Sequence, residues 1–107
     1  MTQQRWPAVA VTVATRNRPE LLAVALDSII GQDYPGDIAV AVVFDQSEPD
    51  RTLARQHAGR TIQVLTNIRS PGLAGARNTG IGATTGELIA FCDDDDRWQP
   101  TKLSRQV

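Results

Sequence analysis

The sequence predicts an α/β fold built on a parallel β-sheet, and three observations carry that reading. Short apolar runs rich in β-branched residues recur along the 107 residues. Stretches with helical periodicity separate them, and the unusual polar clusters stand at the carboxyl ends of the runs. Alternation of this kind implies right-handed crossovers, with ligands bound where strands end and strand order reverses.

Val9-Ala10-Val11-Thr12-Val13 is short and β-branched and reads as a buried strand. Thr15 to Pro19 breaks it. From Pro19, which suits a first helical turn, Leu22, Ala25, Leu26, Ile29 and Ile30 share one helical face. Pro35-Gly36 marks a turn, and Ile38 to Phe44 is the nearly unbroken apolar run expected of a buried parallel strand. After the polar loop Asp45 to Asp50, a short helix is expected through Leu53 and Ala54, then a third strand over Ile62 to Leu65. Leu73, Ala76, Gly80 and Ala83 share the next helical face, although Gly75, Gly80 and Gly82 weaken the helix. Leu88 to Cys92 is a fourth strand, and Pro100 to Val107 reads as a helix start. The whole is β-α-β-α-β-α-β. Thr15 to Arg18, Asp45 to Ser47 and Asp93 to Asp96 all lie at strand ends and are expected to converge on one rim.

Composition narrows the classes. A net charge of -1 with no polybasic stretch argues against nucleic acid and anionic lipid as partners. Cys92, the only cysteine, excludes an internal disulfide or a cysteine zinc cluster; it fits a reducing cytoplasm and a buried strand position without chemistry. Met1 to Pro7 lacks the apolar stretch of a signal peptide, and nothing downstream reaches the length of a membrane span. The expectation is one soluble cytoplasmic domain. His57 is the only histidine and has no partner at ligand spacing, so it is expected at the surface or a helix end.

Asp93-Asp94-Asp95-Asp96 is the informative motif. Adjacent carboxylates repel, and the repulsion is relieved either by raised pKa values or by a divalent cation. Mg2+ and Mn2+ prefer carboxylate oxygen and are commonly shared with a substrate phosphate. In extended backbone alternate side chains share a face, so Asp93 and Asp95 would meet one ion while Asp94 points elsewhere, toward a ribose hydroxyl for example. A solvated acidic loop, or Asp96 as a helix cap, is the plainer reading, and strand-end placement weighs against it. Asp45 could accept hydrogen bonds from a base or ribose, or simply open a loop. Thr15 to Arg18 could touch base or diphosphate, and Arg77 could reach a diphosphate or lie on a helix surface. The stretch Gly72 to Asn78 matches neither the P-loop nor the dinucleotide spacing. Trp98 is expected to pack the loop after the aspartates.

These residues resemble family 2 glycosyltransferases. The resemblance runs in the family's order through Val11 to Leu22 (VTVATRNRPELL), Val42 to Ser47 (VVFDQS), Ala76 to Ile81 (ARNTGI) and, most specifically, Gly86 to Pro100 (GELIAFCDDDDRWQP) with Lys102-Leu103. It implies the parallel-sheet, Rossmann-like half of a GT-A nucleotide-diphospho-sugar transferase fold, ending after the acidic metal motif. It also implies inverting sugar transfer with Mg2+ or Mn2+ bridging the donor diphosphate. By position, Asp93 and Asp95 fall on the metal motif, with Asp94 and Asp95 as its core; Asp45 falls on the nucleotide-recognising carboxylate, Thr15 and Arg16 on the loop beside the base, and Arg77 on a further donor contact. Two departures stand out. Arg16 stands where the family often has an aromatic residue, and Phe44 and Gln46 stand where it usually has an acidic residue and a glycine.

The expected organisation is a donor-binding part over residues 1–107, with the acceptor site and the general base of the inverting step beyond Val107. The catalytic residue is therefore unassigned, and these residues alone are expected to transfer little sugar. Expected partners are a nucleotide-diphospho-sugar donor and, in a full enzyme, a saccharide or lipid-linked acceptor. Three other readings compete. A sugar nucleotidylyltransferase wants a glycine-rich basic signature after the first strand, where Thr15 to Pro19 has no glycine. A signalling receiver domain wants an acidic pair there and a late lysine, yet the sequence has Ala14-Thr15 and only Lys102. A non-catalytic nucleotide-sugar-binding module of the same fold fits the length.

Overall fold

The computed structural model describes residues 5–107. Its elements are β1 (Val9–Thr15), α1 (Pro19–Ile30), β2 (Ile38–Phe44), β3 (Arg55–His57), β4 (Arg60–Thr66), α2 (Leu73–Ala83), β5 (Leu88–Asp93) and α3 (Lys102–Gln106). The sheet order is β3-β4-β2-β1-β5. β1 pairs in parallel with β2 and β5, and β2 in parallel with β4.

One expected element is corrected. The segment through Leu53 and Ala54 is a single 3-10 turn, Arg51–Leu53, not a helix, and it leads into the antiparallel edge strand β3. Every β3 side chain (Arg55, Gln56, His57) is exposed, so no apolar period announces the strand. The β3–β4 hairpin closes on Ala58 and Gly59 at φ 43 and 78, the left-handed pair of a tight two-residue connection. His57 thus lies on an exposed edge strand.

The two faces of the sheet are built differently. Strand alternation puts Val9, Val11, Val13, Ile38, Val40, Val42, Ile62, Val64 and Cys92 on one face, where they form one core with Leu22, Ala25, Leu26 and Ile29 of α1. The other face carries Ala10, Thr12 and Ala41 where α2 packs through its buried Gly75, Ala76, Thr79 and Gly80, with Ile89 and Phe91 left exposed on β5. Contact there is close. A Cβ on Gly80 would stand 2.3 Å from Thr12 Cγ2, and one on Gly75 would stand 1.8 Å from the Ser70 carbonyl oxygen. Gly80 is what lets α2 lie against β1, and Gly75 is what lets its first turn close on the Ser70 backbone.

Connections leave β1 toward β2 but return from β4 to β5, on the far side of β1. This reversal of strand order opens a crevice at the carboxyl ends of β1 and β5. The register places Ala14 beside Asp93, so Thr15 and the acidic run stand at its two walls.

Candidate functional site

A cavity of about 430 Å3 occupies that crevice, lined by Ala14, Thr15, Arg16, Arg18, Asp45, Leu73, Ala76, Asp93, Asp94 and Asp95. Six of the seven residues expected at the site therefore face one space. The seventh, Arg77, stands beside it: its guanidinium lies 3.5 Å from Asp93 Oδ1 and stacks 4.9 Å above the Phe91 ring.

The acidic run is not extended beyond Asp93. It turns, with the Asp96 amide donating to the Asp93 carbonyl at 3.0 Å. The turn, rather than strand alternation, brings Asp93 and Asp95 together, and it adds Asp96. One carboxylate oxygen from each of the three lies within 4.8 Å of the others, and all three are exposed. Three hard oxygen donors in that space fit a Mg2+ or Mn2+ ion that keeps part of its coordination for water and phosphate.

Asp94 points the other way and is only 8% exposed. Thr15 Oγ1 donates to its Oδ2 at 3.0 Å, and Arg18 pairs with its Oδ1 at 3.4 Å and with Asp95 Oδ2 at 3.5 Å. Asn17, left-handed at φ 54, turns the chain so that Arg18 reaches back over the end of β5.

Asp45 ends up more constrained than a loop-opening aspartate. Its Oδ1 accepts from Asn67 Nδ2 at 2.9 Å, and its Oδ2 accepts from Gln46 Nε2 and the Gly72 amide, both at 3.1 Å. These bonds, that from Asn67 foremost, outweigh burial and with the nearby Arg16 charge hold the carboxyl below its usual range, so it is ionised at neutral pH. Gln46 sits at φ 53. Glycine adopts that conformation freely; here glutamine holds it and donates its amide to the neighbouring carboxylate.

Sequence reasoning did not single out Asn67 or Gly72. Asn67 also bonds Ser70, Arg69 and Thr79, so it ties the 67–72 loop to α2 and to Asp45. Its position directly after β4 matches that of Asp45 after β2, and the same strand-end rule points to it. Cys92 has no part in the chemistry. Burial, helped by the Asp96 and Asp93 charges, pushes its thiol up to about 12, which leaves it unreactive at neutral pH. Trp98 is 7% exposed and packs into the core, as expected.

The sheet order and the cleft at its carboxyl rim define a GT-A-type α/β domain. The chain belongs to glycosyltransferase family 2: the family model for Glycosyl transferase family 2 matches residues 10–107. It is 30% identical over 99 residues to the Escherichia coli UDP-Glc:alpha-D-GlcNAc-diphosphoundecaprenol beta-1,3-glucosyltransferase WfgD, a match covering 92% of this chain and 39% of that protein. It is 34% identical over 103 residues to the succinoglycan biosynthesis protein ExoO of Rhizobium meliloti, covering 94% of this chain and 29% of that one. The chain thus spans well under half the length of these curated relatives. Among solved structures it resembles the mannosyltransferase PcManGT from Pyrobaculum calidifontis in complex with GDP-Man and Mn2+, with TM-score 0.74 and 34% identity, over 88% of this chain and 29% of that one. It also resembles S. aureus TarS 1-349 in complex with UDP-GlcNAc, with TM-score 0.69 and 30% identity, over 92% of this chain and 29% of that one. Among the described residues no helix is long and apolar enough to cross a membrane.

Proposed function

We propose that this chain binds a nucleotide-diphospho-sugar through a divalent cation, Mg2+ or Mn2+, for inverting transfer of the sugar to a saccharide or lipid-linked acceptor in the complete enzyme. The observation that carries the reading is the single cavity bounded at once by Thr15, Arg16 and Arg18 at the end of β1, Asp45 after β2 and Asp93 to Asp95 at the end of β5. Donor complexes of PcManGT and TarS, the first also with Mn2+, support it. The lipid-linked acceptor in the name of WfgD supports the acceptor class.

In this assignment Asp93 and Asp95, joined by Asp96, would hold the cation, which would supply positive charge for the departing diphosphate. Asp94 sits between Thr15 and Arg18 as a donor contact facing the cleft. Asp45, ionised and with one acceptor position left, takes a hydrogen bond from the base or ribose, and Thr15 and Arg16 line the base. Arg77 directs its charge to the diphosphate side beside Asp93. The lone cysteine, unpaired and buried, fits a cytoplasmic setting. Calorimetric titration with UDP, GDP and TDP, with and without Mn2+, tests the assignment. Metal-dependent micromolar binding of at least one is expected, and no binding by folded protein under either condition would refute it.

A further inference from the structure

We infer that Gln32, assisted by Ser28, is a positioning residue for the acidic turn, acting from the far end of α1; the inference rests on the cation reading of Asp93, Asp95 and Asp96. The segment from Arg97 to Thr101 belongs to no strand or helix, yet its backbone is held at fixed points by α1 and the turn after it. Trp98 N donates to Ser28 Oγ at 3.0 Å, and that hydroxyl donates to the Ala25 carbonyl at 2.7 Å. Gln32 is 5% exposed and spends its whole amide on the connection. Its Nε2 donates to the carbonyls of Ser28 at 3.0 Å and Gln99 at 2.6 Å, and its Oε1 accepts from the Leu103 amide at 3.0 Å. The Asp33 amide adds a bond to the Pro100 carbonyl at 2.9 Å.

The acidic turn is thereby fixed from both sides. Asp93 is locked by its pairing beside Ala14 in the sheet. Trp98, two residues after Asp96, is locked by Ser28, its buried indole and the Gln32 connection beyond it. The spacing of three exposed, mutually repelling carboxylates is set by those two anchors. Only an amide supplies two donors and one acceptor at this reach. Glutamate would turn both donors into acceptors facing the Ser28 and Gln99 carbonyls, and methionine would fill the volume while making none of the bonds.

The test compares Gln32→Met, Ser28→Ala and the core control Ile29→Val in the 107-residue chain. Mn2+ affinity is read by titration without nucleotide, amide exchange by NMR at Asp96 and Trp98, and stability by urea unfolding. Gln32→Met is expected to weaken Mn2+ binding 10–100-fold, as loss of groups that orient metal ligands typically does, and to speed Asp96 and Trp98 exchange at least about tenfold while Val42 stays protected. Ser28→Ala is expected to do the same to a smaller degree, and it reports if Gln32→Met does not fold. Ile29→Val is expected to lower stability with Mn2+ affinity unchanged. Unaltered exchange at Asp96 and Trp98 in Gln32→Met and Ser28→Ala, or wild-type Mn2+ affinity despite faster exchange, overturns the inference. If wild-type protein binds no Mn2+, the cation reading fails while the exchange data still decide whether Gln32 orders the turn.

Discussion

Asp45 and Asp94 are both buried aspartates at the cleft, held in different ways. Asp45 owes its low pKa to hydrogen bonds from Asn67, Gln46 and Gly72 as well as to the Arg16 charge. A depressed native pKa means that the stabilisation is complete above the unfolded value and is lost as pH falls through the folded one. Wild-type stability, measured by urea unfolding at successive pH values, is therefore expected to fall from about pH 4 downward more steeply than that of Asp45→Asn. Equal slopes would count against the assigned ionisation. For the proposed cation, Asp95→Asn removes one of the three clustered carboxylates and loosens the pair with Arg18. A loss of about a hundredfold in Mn2+-dependent nucleotide affinity is expected by calorimetry, with metal-free nucleotide binding unchanged. The residue scale is also where the sequence was most informative. Asp45, Asp93 and Asp95 were legible because strand ends converge. Asn67 was passed over because an asparagine before a Ser-Pro-Gly loop looks like turn chemistry, and the part of Asp96 in the carboxylate cluster was hidden because a turn, not an extended strand, follows Asp93.

At the scale of elements, α2 separates two kinds of glycine. Gly80 faces Thr12, so Gly80→Ala must push the helix off β1 and is expected to destabilise by about 2 kcal/mol despite the better propensity of alanine. Gly82 meets only the flexible end of Arg69 at 3.3 Å, and Gly82→Ala is expected to be neutral or stabilising by up to about 1 kcal/mol. Urea unfolding of the two variants checks both signs, and equal effects would contradict the close packing of α2 on β1. The strands of the parallel core were readable from their valine runs, and α1 from its apolar face. β3 was not, since an edge strand of three exposed polar residues carries no hydrophobic period, and its turn is made by Ala58-Gly59 rather than by a stronger hairpin pair.

For the whole molecule, the proposed cation site lies between sheet and loop, so cation binding there would couple to global folding. With Mn2+ at about a hundred times its Kd, unfolding free energy should rise by about 2.7 kcal/mol. A thermal scan should show a clear upward shift of Tm that EDTA reverses. The same scan on Asp95→Asn should show most of that shift gone, and an undiminished shift would move the cation elsewhere. The class of the fold and its parallel sheet were legible because each level of the sequence pointed the same way. The antiparallel edge was not, and neither was the anchoring of the acidic turn from α1, because those contacts join residues about 70 positions apart.

The unequal faces of the sheet have a consequence for how such a chain can change over evolutionary time. On the α1 side, neighbouring aliphatic side chains can exchange volume with one another, so drift there is reciprocal and reversible. On the α2 side, Gly75 and Gly80 leave no slack to exchange, and any substitution at them adds bulk that meets Ser70 or Thr12. Divergence is therefore expected to run more freely on the α1 side of the sheet, while Gly80 against Thr12 and Gly75 against Ser70 hold α2 and the 67–72 loop beside Asp45 to their present residues.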